Sequence, residues 1–277
     1  RQGGPQLMPF FTAADGCRIH YETSGSAGPR LILISGLGGD GRFWTGVVRL
    51  LEADHRVIVT DHRGAGRSDR PESPYSIPLI ASDIAGLLAQ TGGPAHIVGH
   101  STGGAIAQVL ALDHSELGLS YTISSSWARA DSRFRTLFSA RAELLEAGLA
   151  ETYQRLGHVL CHEPSYLETH AGELDAAVAA APDTLAPLTV SAARVRMLLD
   201  HDRLADLPRI DTPVQVIAAT GDILTPPALS EAIAAAIPDA RFVSVPGAHF
   251  HPLADPEGLA AIIRRFIVEA HLDRKAS

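Results

Sequence analysis

Apolar runs of strand length alternate with helical patterns along most of this chain, and that alternation leaves few architectures open. Residues Pro9–Thr12 and Arg18–Glu22 flank Asp15-Gly16, a hairpin turn signal. Arg30–Ser35 (RLILIS) reads as a strand buried on both faces. A helix over Phe43–Glu52, a strand over Arg56–Thr60, a helix over Ile80–Gln90, a strand over Ala95–Gly99, a helix over Thr102–His114 and a strand over Gly118–Ser124 follow. The pattern resumes with strand Val214–Ala219, helix Ala228–Ile237, strand Arg241–Val245 and helix Pro256–Ala270. That last helix sets Leu259, Ile262, Ile263, Phe266 and Ile267 on one stripe, as a helix lying on a sheet requires. A hairpin followed by β-α alternation predicts an α/β fold, a mostly parallel twisted sheet with helices on both faces.

From Trp127 to about Pro208 the strand signal stops. The stretch is rich in Ala and Leu and carries helical segments such as Arg133–Glu146 and Leu149–Val159. No Gly/Ser or Pro linker brackets it, so residues 127–208 are expected to form an inserted helical cap on a core built from residues 1–126 and 209–277.

Composition removes several classes. With 45% hydrophobic and 19% charged residues the chain is no disordered polymer. It has no apolar run near the roughly 20 residues of a membrane span. Lys and Arg total 23 against 31 Asp and Glu, a net charge of −8 that repels phosphate backbones, so neither nucleic acid nor membrane is an expected partner. Cys17 and Cys161 lie far apart, which gives no disulfide framework and no metal spacing. Arg1–Met8 has no apolar segment of the signal-peptide kind, and Arg1–Pro5, which reads as tag sequence, is set apart from the fold argument. The expectation is a cytoplasmic enzyme acting on small molecules, monomer or homodimer, without metal or cofactor.

Chemistry concentrates at Gly99-His100-Ser101-Thr102-Gly103-Gly104, between an apolar strand and a helix. A serine at that junction projects its hydroxyl from a sharp turn, which needs almost no side chain two residues before and two after. The N-terminus of the helix then aims backbone N–H groups at negative charge developing beside Ser101. The plain alternative is a serine that only caps the helix.

A serine hydroxyl is a poor nucleophile until a base takes its proton. Of 13 histidines, His249 in Pro246-Gly247-Ala248-His249 follows the final strand, where its loop would overhang Ser101. His251 is the rival. His55, His62 and His114 have no comparable placement, and His100 is expected to pack against or line the pocket. The base needs an acid to fix its tautomer. Ser124-Ser125-Ser126-Trp127 offers none, whereas Asp222 opens the loop after the next strand and completes the order Ser…Asp…His. Asp239 and Asp255 read as turn and helix-cap residues.

Gly36-Leu37-Gly38-Gly39-Asp40-Gly41, with Asp61 ending the next strand, imitates a dinucleotide fingerprint and so a nicotinamide-dependent oxidoreductase. A hairpin precedes the strand here, and Asp61 leads into His62-Arg63-Gly64-Ala65-Gly66-Arg67-Ser68, where it and the arginines are expected to tie up the loop. The better use of Gly36 is a close backbone approach. The Leu37 and Thr102 N–H groups would then form an oxyanion hole.

These pieces resemble the α/β-hydrolase superfamily along nearly the whole chain: Ser35-Gly36-Leu37-Gly38, Asp61 to Ser68, Gly99 to Gly103, Gly221-Asp222 to Pro226, and Gly247-Ala248-His249. Ser35 stands where the family has His, a departure that leaves the backbone donor in place. The cap entry Trp127-Ala128-Arg129, with Arg135, Phe138, Arg141, Leu144-Leu145 and Gly148, resembles the aminoacrylate hydrolases of pyrimidine degradation and the enol-lactone hydrolases of aromatic catabolism. The resemblance implies an α/β-hydrolase fold and a small, often carboxylated substrate held by cap arginines such as Arg129 or Arg135, with Trp127 as pocket wall. Against this, Arg129, Arg133, Arg135 and Arg141 fall at helical spacings that suit a solvated face or a pair with Glu143. The resulting expectation is a serine hydrolase, a carboxylesterase or aminoacrylate-hydrolase-like enzyme, cleaving an ester, lactone or amide-like C–N bond. A C–C hydrolase of ring-cleavage products and a ligand sensor on the same scaffold are the alternatives.

Overall fold

A computed structural model describes residues 9–72 and 74–276; Arg1–Met8, including the stretch set apart above, lie outside the described residues. β1 (Phe10–Thr12) and β2 (Arg18–Ser24) pair antiparallel in the register Phe10↔His20 to Thr12↔Arg18, around the Asp15-Gly16 turn. β2 lies antiparallel on β4 (Arg56–Thr60), and β4 is parallel to β3 (Arg30–Ile34). From β3 onward the sheet is parallel: β3 to β5 (Ala95–His100), β5 to β6 (Gly118–Ser124), β6 to β7 (Val214–Ala219), and β7 to β8 (Arg241–Val245). The eight strands run in the order β1-β2-β4-β3-β5-β6-β7-β8.

Period-two alternation in β3 divides the core. Ile32 and Ile34 face one layer with Ile97, packed on α2 (Ile77–Gln90) and α3 (Thr102–Asp113). Leu31 and Leu33 face the other with Val98 and Ile217, under α1 (Thr45–Leu51) and the long C-terminal helix. That helix, Pro256–Ala276, puts Leu259, Ile263 and Ile267 into this second layer with Ile262 at its edge. Ser76 starts α2 by accepting the Leu79 N–H at 3.2 Å, so α2 begins three residues before its expected start.

Five helices fill the span between β6 and β7: α4 (Ser132–Glu146), α5 (Ala150–Cys161), α6 (Pro164–Thr169), α7 (Ala171–Thr184) and α8 (Leu188–Arg196). Asp131 caps α4 by accepting the Phe134 N–H at 2.7 Å. After β7 come α9 (Pro227–Ala236) and, past β8, a short α10 (His251–Ala254) that the periodicity did not announce; Pro256–Ala276 is then α11. No described helix is long and apolar enough to cross a membrane.

The turn from β5 into α3 is the tightest point of the fold. A Cβ on Gly99 would penetrate the Gly103 carbonyl, and one on Gly103 would penetrate the Ile34 carbonyl. Backbone must therefore pass against backbone where the first turn of α3 crosses β3. Gly103→Ala forces that contact open and should cost about 3 kcal/mol or more in unfolding free energy. Urea denaturation of the variant checks it; a midpoint equal to the parent's would mean that the turn has room.

Burial also sets an acid limit on stability. It pushes His62 down to about 3 and His201 and His251 each down to about 4, so all three stay neutral when folded. Unfolded, each ring binds a proton near its ordinary 6.5. Their contribution is fully present above that value and is lost as pH falls from about 6.5 toward 4, at roughly 1.4 kcal/mol per pH unit for each proton that only the unfolded chain binds. Unfolding free energy measured between pH 7.5 and 4.5 should fall with a slope of more than one proton. A flat profile would place these rings in contact with water.

Candidate active site

The parallel strands β3, β5, β6, β7 and β8 all end at one edge of the sheet, and the loops that follow them meet there. Ser101, directly after β5, has φ +56° and ψ −117°, a left-handed conformation that L-residues avoid. Its backbone is clamped: the N–H donates to the Ser124 carbonyl at 2.8 Å, and its carbonyl accepts the Ser126 hydroxyl at 2.8 Å. Its side chain makes no capping bond to α3, so the helix-cap alternative falls away.

The candidate acid and base are joined to each other. Asp222 follows β7, His249 follows β8, and Gly221 N–H to Gly247 O at 2.9 Å ties the two loops together. Gly247 takes φ +107°, a turn that brings the chain back toward the sheet edge. His249 Nδ1 lies 2.7 Å from Asp222 Oδ2, both side chains being buried. Asp222 Oδ1 accepts the Leu224 and Thr225 N–H groups, each at 2.9 Å. Thr225 Oγ1 stands 2.9 Å from both Asp222 Oδ2 and the Ser125 carbonyl. Burial alone pushes the Asp222 carboxyl up, but the neighbouring His249 ring and the Thr225 donors outweigh it and hold it below the usual range. With Nδ1–H given to this carboxylate, His249 keeps its lone pair on Nε2.

His251 goes elsewhere. Its Nε2 lies 2.8 Å from Ser124 Oγ, which in turn lies 3.3 Å from His100 Nδ1. His100 stacks on Phe43 at 5.2 Å and tilts against His249 at 4.8 Å, packing the base from behind. Asp255 caps α11 through the Gly258 N–H at 2.9 Å, and Asp239 sits at φ +56° in a turn.

Beside Ser101 runs the glycine loop after β3. A Cβ on Gly36 would lie 3.2 Å from Ser101 Cβ, and Gly39 N–H closes the turn on Gly36 O at 2.9 Å. Leu37 follows on this loop and lines the same cavity as Ser101. Asp61 serves the same loops: it accepts the Gly41 and Arg67 N–H groups at 2.8 Å each, while Arg63 pairs with Asp83 at 2.6 Å and Asp15 at 2.7 Å. The dinucleotide reading needed that carboxylate for a ribose.

A cavity of about 430 Å³ opens over this edge, lined by Leu37, His100, Ser101, Thr102 and His249 from the sheet side. The inserted helices close it with Phe138, Arg141, Tyr153, Gly157, Cys161 and Arg194, among others. Burial pushes the Cys161 thiol up to about 12, which leaves it no nucleophile. Arg194 is buried and donates to the Leu37 carbonyl at 2.7 Å and to the Arg63 carbonyl, so α8 grips the glycine loop directly. Burial, with no carboxylate to offset it, draws its guanidinium down to about 10.

The cap residues need correction. Arg129 and Arg135 are exposed and line no part of this cavity; Arg135 donates to the Leu199 carbonyl at 3.1 Å instead. Arg133 donates to the Ile223 and Leu224 carbonyls. Trp127 is fully buried but tilts against Phe134 at 4.6 Å and meets His201 edge-on at 5.8 Å, and it does not line the cavity. Arg141 was legible by a different signal. Phe134, Phe138, Arg141 and Leu145 are spaced i, i+4, i+7, i+11, so an arginine occupies the apolar stripe of α4.

Comparisons with known proteins agree with this fold. The profile of the alpha/beta hydrolase family matches residues 31–262. A protein of Azorhizobium caulinodans bearing the provisional name carbamate hydrolase RutD is 36% identical over 256 residues, covering 90% of this chain and 94% of its own. The enol-lactonase from Burkholderia xenovorans LB400 superposes with TM-score 0.86 at 24% identity, over 94% of this chain and 100% of its own. A thermophilic esterase from Thermogutta terrifontis, solved with malate bound, gives TM-score 0.83 at 25% identity over 95% and 98%. With a family match across most of its length and the sheet order described above, the chain belongs to the alpha/beta hydrolase family.

Proposed function

We propose that the chain is a serine hydrolase that cleaves an ester, lactone or amide-like C–N bond in a small metabolite through an acyl-enzyme. The observation that carries the reading is the His249–Asp222 pair at 2.7 Å, placed on the same cavity as a serine held at φ +56°. His249 Nε2 takes the Ser101 proton as Oγ attacks the carbonyl, and the Leu37 and Thr102 N–H groups receive the oxyanion. The proton then passes to the leaving group. Water, activated by the same imidazole, releases the acyl group as an acid and restores the serine. Asp222 keeps His249 in the required tautomer and stabilises its cation, for which an ionised carboxylate is needed; the shift recorded above supplies it.

Residues 127–208 act in this reading as the cap that selects substrates, because α4, α5 and α8 furnish the far wall of the cavity. The relatives' names, a carbamate hydrolase, an enol-lactonase and an esterase, all describe cleavage next to a carbonyl, and they support the same bond class here.

Two variants test the mechanism. Ser101→Ala and His249→Ala should each lower turnover of a short-chain aryl ester by about three orders of magnitude or more, with the circular dichroism spectrum unchanged. His251→Ala should cost far less than His249→Ala; the reverse ranking would transfer the role of base. Asp222→Asn should reduce kcat by about 10⁴-fold, since it presents the wrong partner to Nδ1–H. Near-parental kcat in that variant would mean another group orients the histidine.

A further inference from the structure

Leu37, the candidate oxyanion donor after β3, stands in a turn with little to hold it. Gly36, Gly38 and Gly39 surround it, and a Cβ on Gly38 would meet nothing within 4 Å. The Gly39 N–H closes the turn on the Gly36 carbonyl at 2.9 Å, and the Gly39 carbonyl accepts the His62 N–H at 2.7 Å. Both ends are pinned. The Leu37–Gly38 peptide between them keeps its rotation, which a following glycine allows in either sense and which shifts the Leu37 backbone. One group stops that rotation. Arg194 Nη2 donates to the Leu37 carbonyl at 2.7 Å, while the Leu37 N–H has no partner among the described residues.

The fold makes room for this bond at two places. A Cβ on Gly39, which takes φ +66°, would lie 2.5 Å from Arg194 Nη2, and one on Gly64, at φ +81°, would lie 2.9 Å from Arg194 Cδ. Arg194 Nη1 goes to the Arg63 carbonyl, so one planar guanidinium joins the loops after β3 and β4 to α8. Both terminal nitrogens are engaged by backbone carbonyls, which directs Arg194 at the loop and not at a substrate. A buried cation with no carboxylate beside it destabilises a contact between cap and core that apolar side chains could make equally well. What apolar contact lacks is direction: a rigid fork of N–H donors fixes where a carbonyl points.

We infer that Arg194 is a positioning residue for the reaction: by holding the Leu37 carbonyl it sets the Leu37 end of the oxyanion hole, so that the inserted helices complete the reacting geometry as well as enclose it. The role rests on the hydrolase reading above, and Arg194 acts through Leu37 rather than on the reacting atoms.

Steady-state hydrolysis of p-nitrophenyl acetate by the parent, Arg194→Met and Arg194→Lys tests the role, together with inhibition by phenylboronic acid. The boron of that probe accepts the serine oxygen as His249 takes the proton, and the resulting tetrahedral anion occupies the place of the intermediate. Arg194→Met should lower kcat about a hundredfold with KM within about threefold of the parent, and should raise the inhibition constant of the boronate by a similar factor. Arg194→Lys keeps the charge without the fork and should lose about tenfold in both. That variant decides the matter where Arg194→Met does not fold. A bond that only holds the cap would lower the melting temperature and leave kcat and the boronate constant near parental values, which overturns the role. A fall in kcat that the boronate does not follow overturns it too. Either result, with turnover in the parent, leaves the hydrolase reading standing. A parent with neither turnover nor boronate binding would overturn that reading and this role with it.

Discussion

The close passage of α3 across β3 governs what the rest of the molecule can do. Gly103 must come within contact of the Ile34 carbonyl, and Gly99 within contact of Gly103, before the chain can turn from strand into helix in one residue. That residue is Ser101, forced to φ +56° at a cost of about 1–3 kcal/mol, which the surrounding packing has to offset. The Ser124 carbonyl and the Ser126 hydroxyl fix its two backbone groups, so the strain cannot relax by rotation. The same crossing brings Gly36 against Ser101 Cβ. One steric requirement thus sets the hydroxyl, the start of α3 and the Leu37 loop in mutual position.

A second set of bonds makes the arrangement chemically directed. Asp222 is buried, where a carboxyl would ordinarily gain its proton, yet it receives two backbone N–H groups and sits beside both Thr225 Oγ1 and the His249 ring. These keep it ionised and leave one orientation for the imidazole. Thr225 also reaches the carbonyl of Ser125, itself at φ +47° after β6, so the β6 and β7 loops are held in common. His251 contributes from the opposite side, through Ser124 to His100 and so to the ring packed against His249. Two neighbouring histidines thus have different partners.

How much of this the sequence disclosed depends on the range of the forces involved. β4, β6, β7 and β8 have the limits that their residue patterns predict: burial on both faces leaves a continuous apolar signal in β6 and β7, while β8, at the sheet edge, shows alternation. Ser101, Asp222 and His249 were visible because each lies in a glycine turn at a strand end, a local arrangement with a local cause. The inserted helices were harder. Arg135 and Arg141 both lie on α4, and the side that meets the cavity depends on how α4 packs on α5 and α8, while Arg129 precedes the helix and bridges to Asp202. Trp127 is large and follows β6, yet its ring turns toward Phe134 and His201 and does not line the cavity. Arg194 had no sequence signal: its partners are the carbonyls of Leu37 and Arg63, more than a hundred residues earlier.

The buried arginines form a series that separates structure from function. Arg63 is held by Asp83 and Asp15, and its charge is fully answered within the fold. Arg194 is answered only by carbonyl dipoles, which fix its geometry and leave its net charge facing the cavity. Arg141 rests on the ring faces of Phe138 and Tyr153, with no ion-pair partner among the described residues. The chain as a whole carries −8, which alone would keep anions away. At physiological salt that field decays over about 8 Å, whereas a guanidinium inside a closed cavity acts at contact and is scarcely screened. An acidic exterior and a cationic interior are therefore compatible in one molecule.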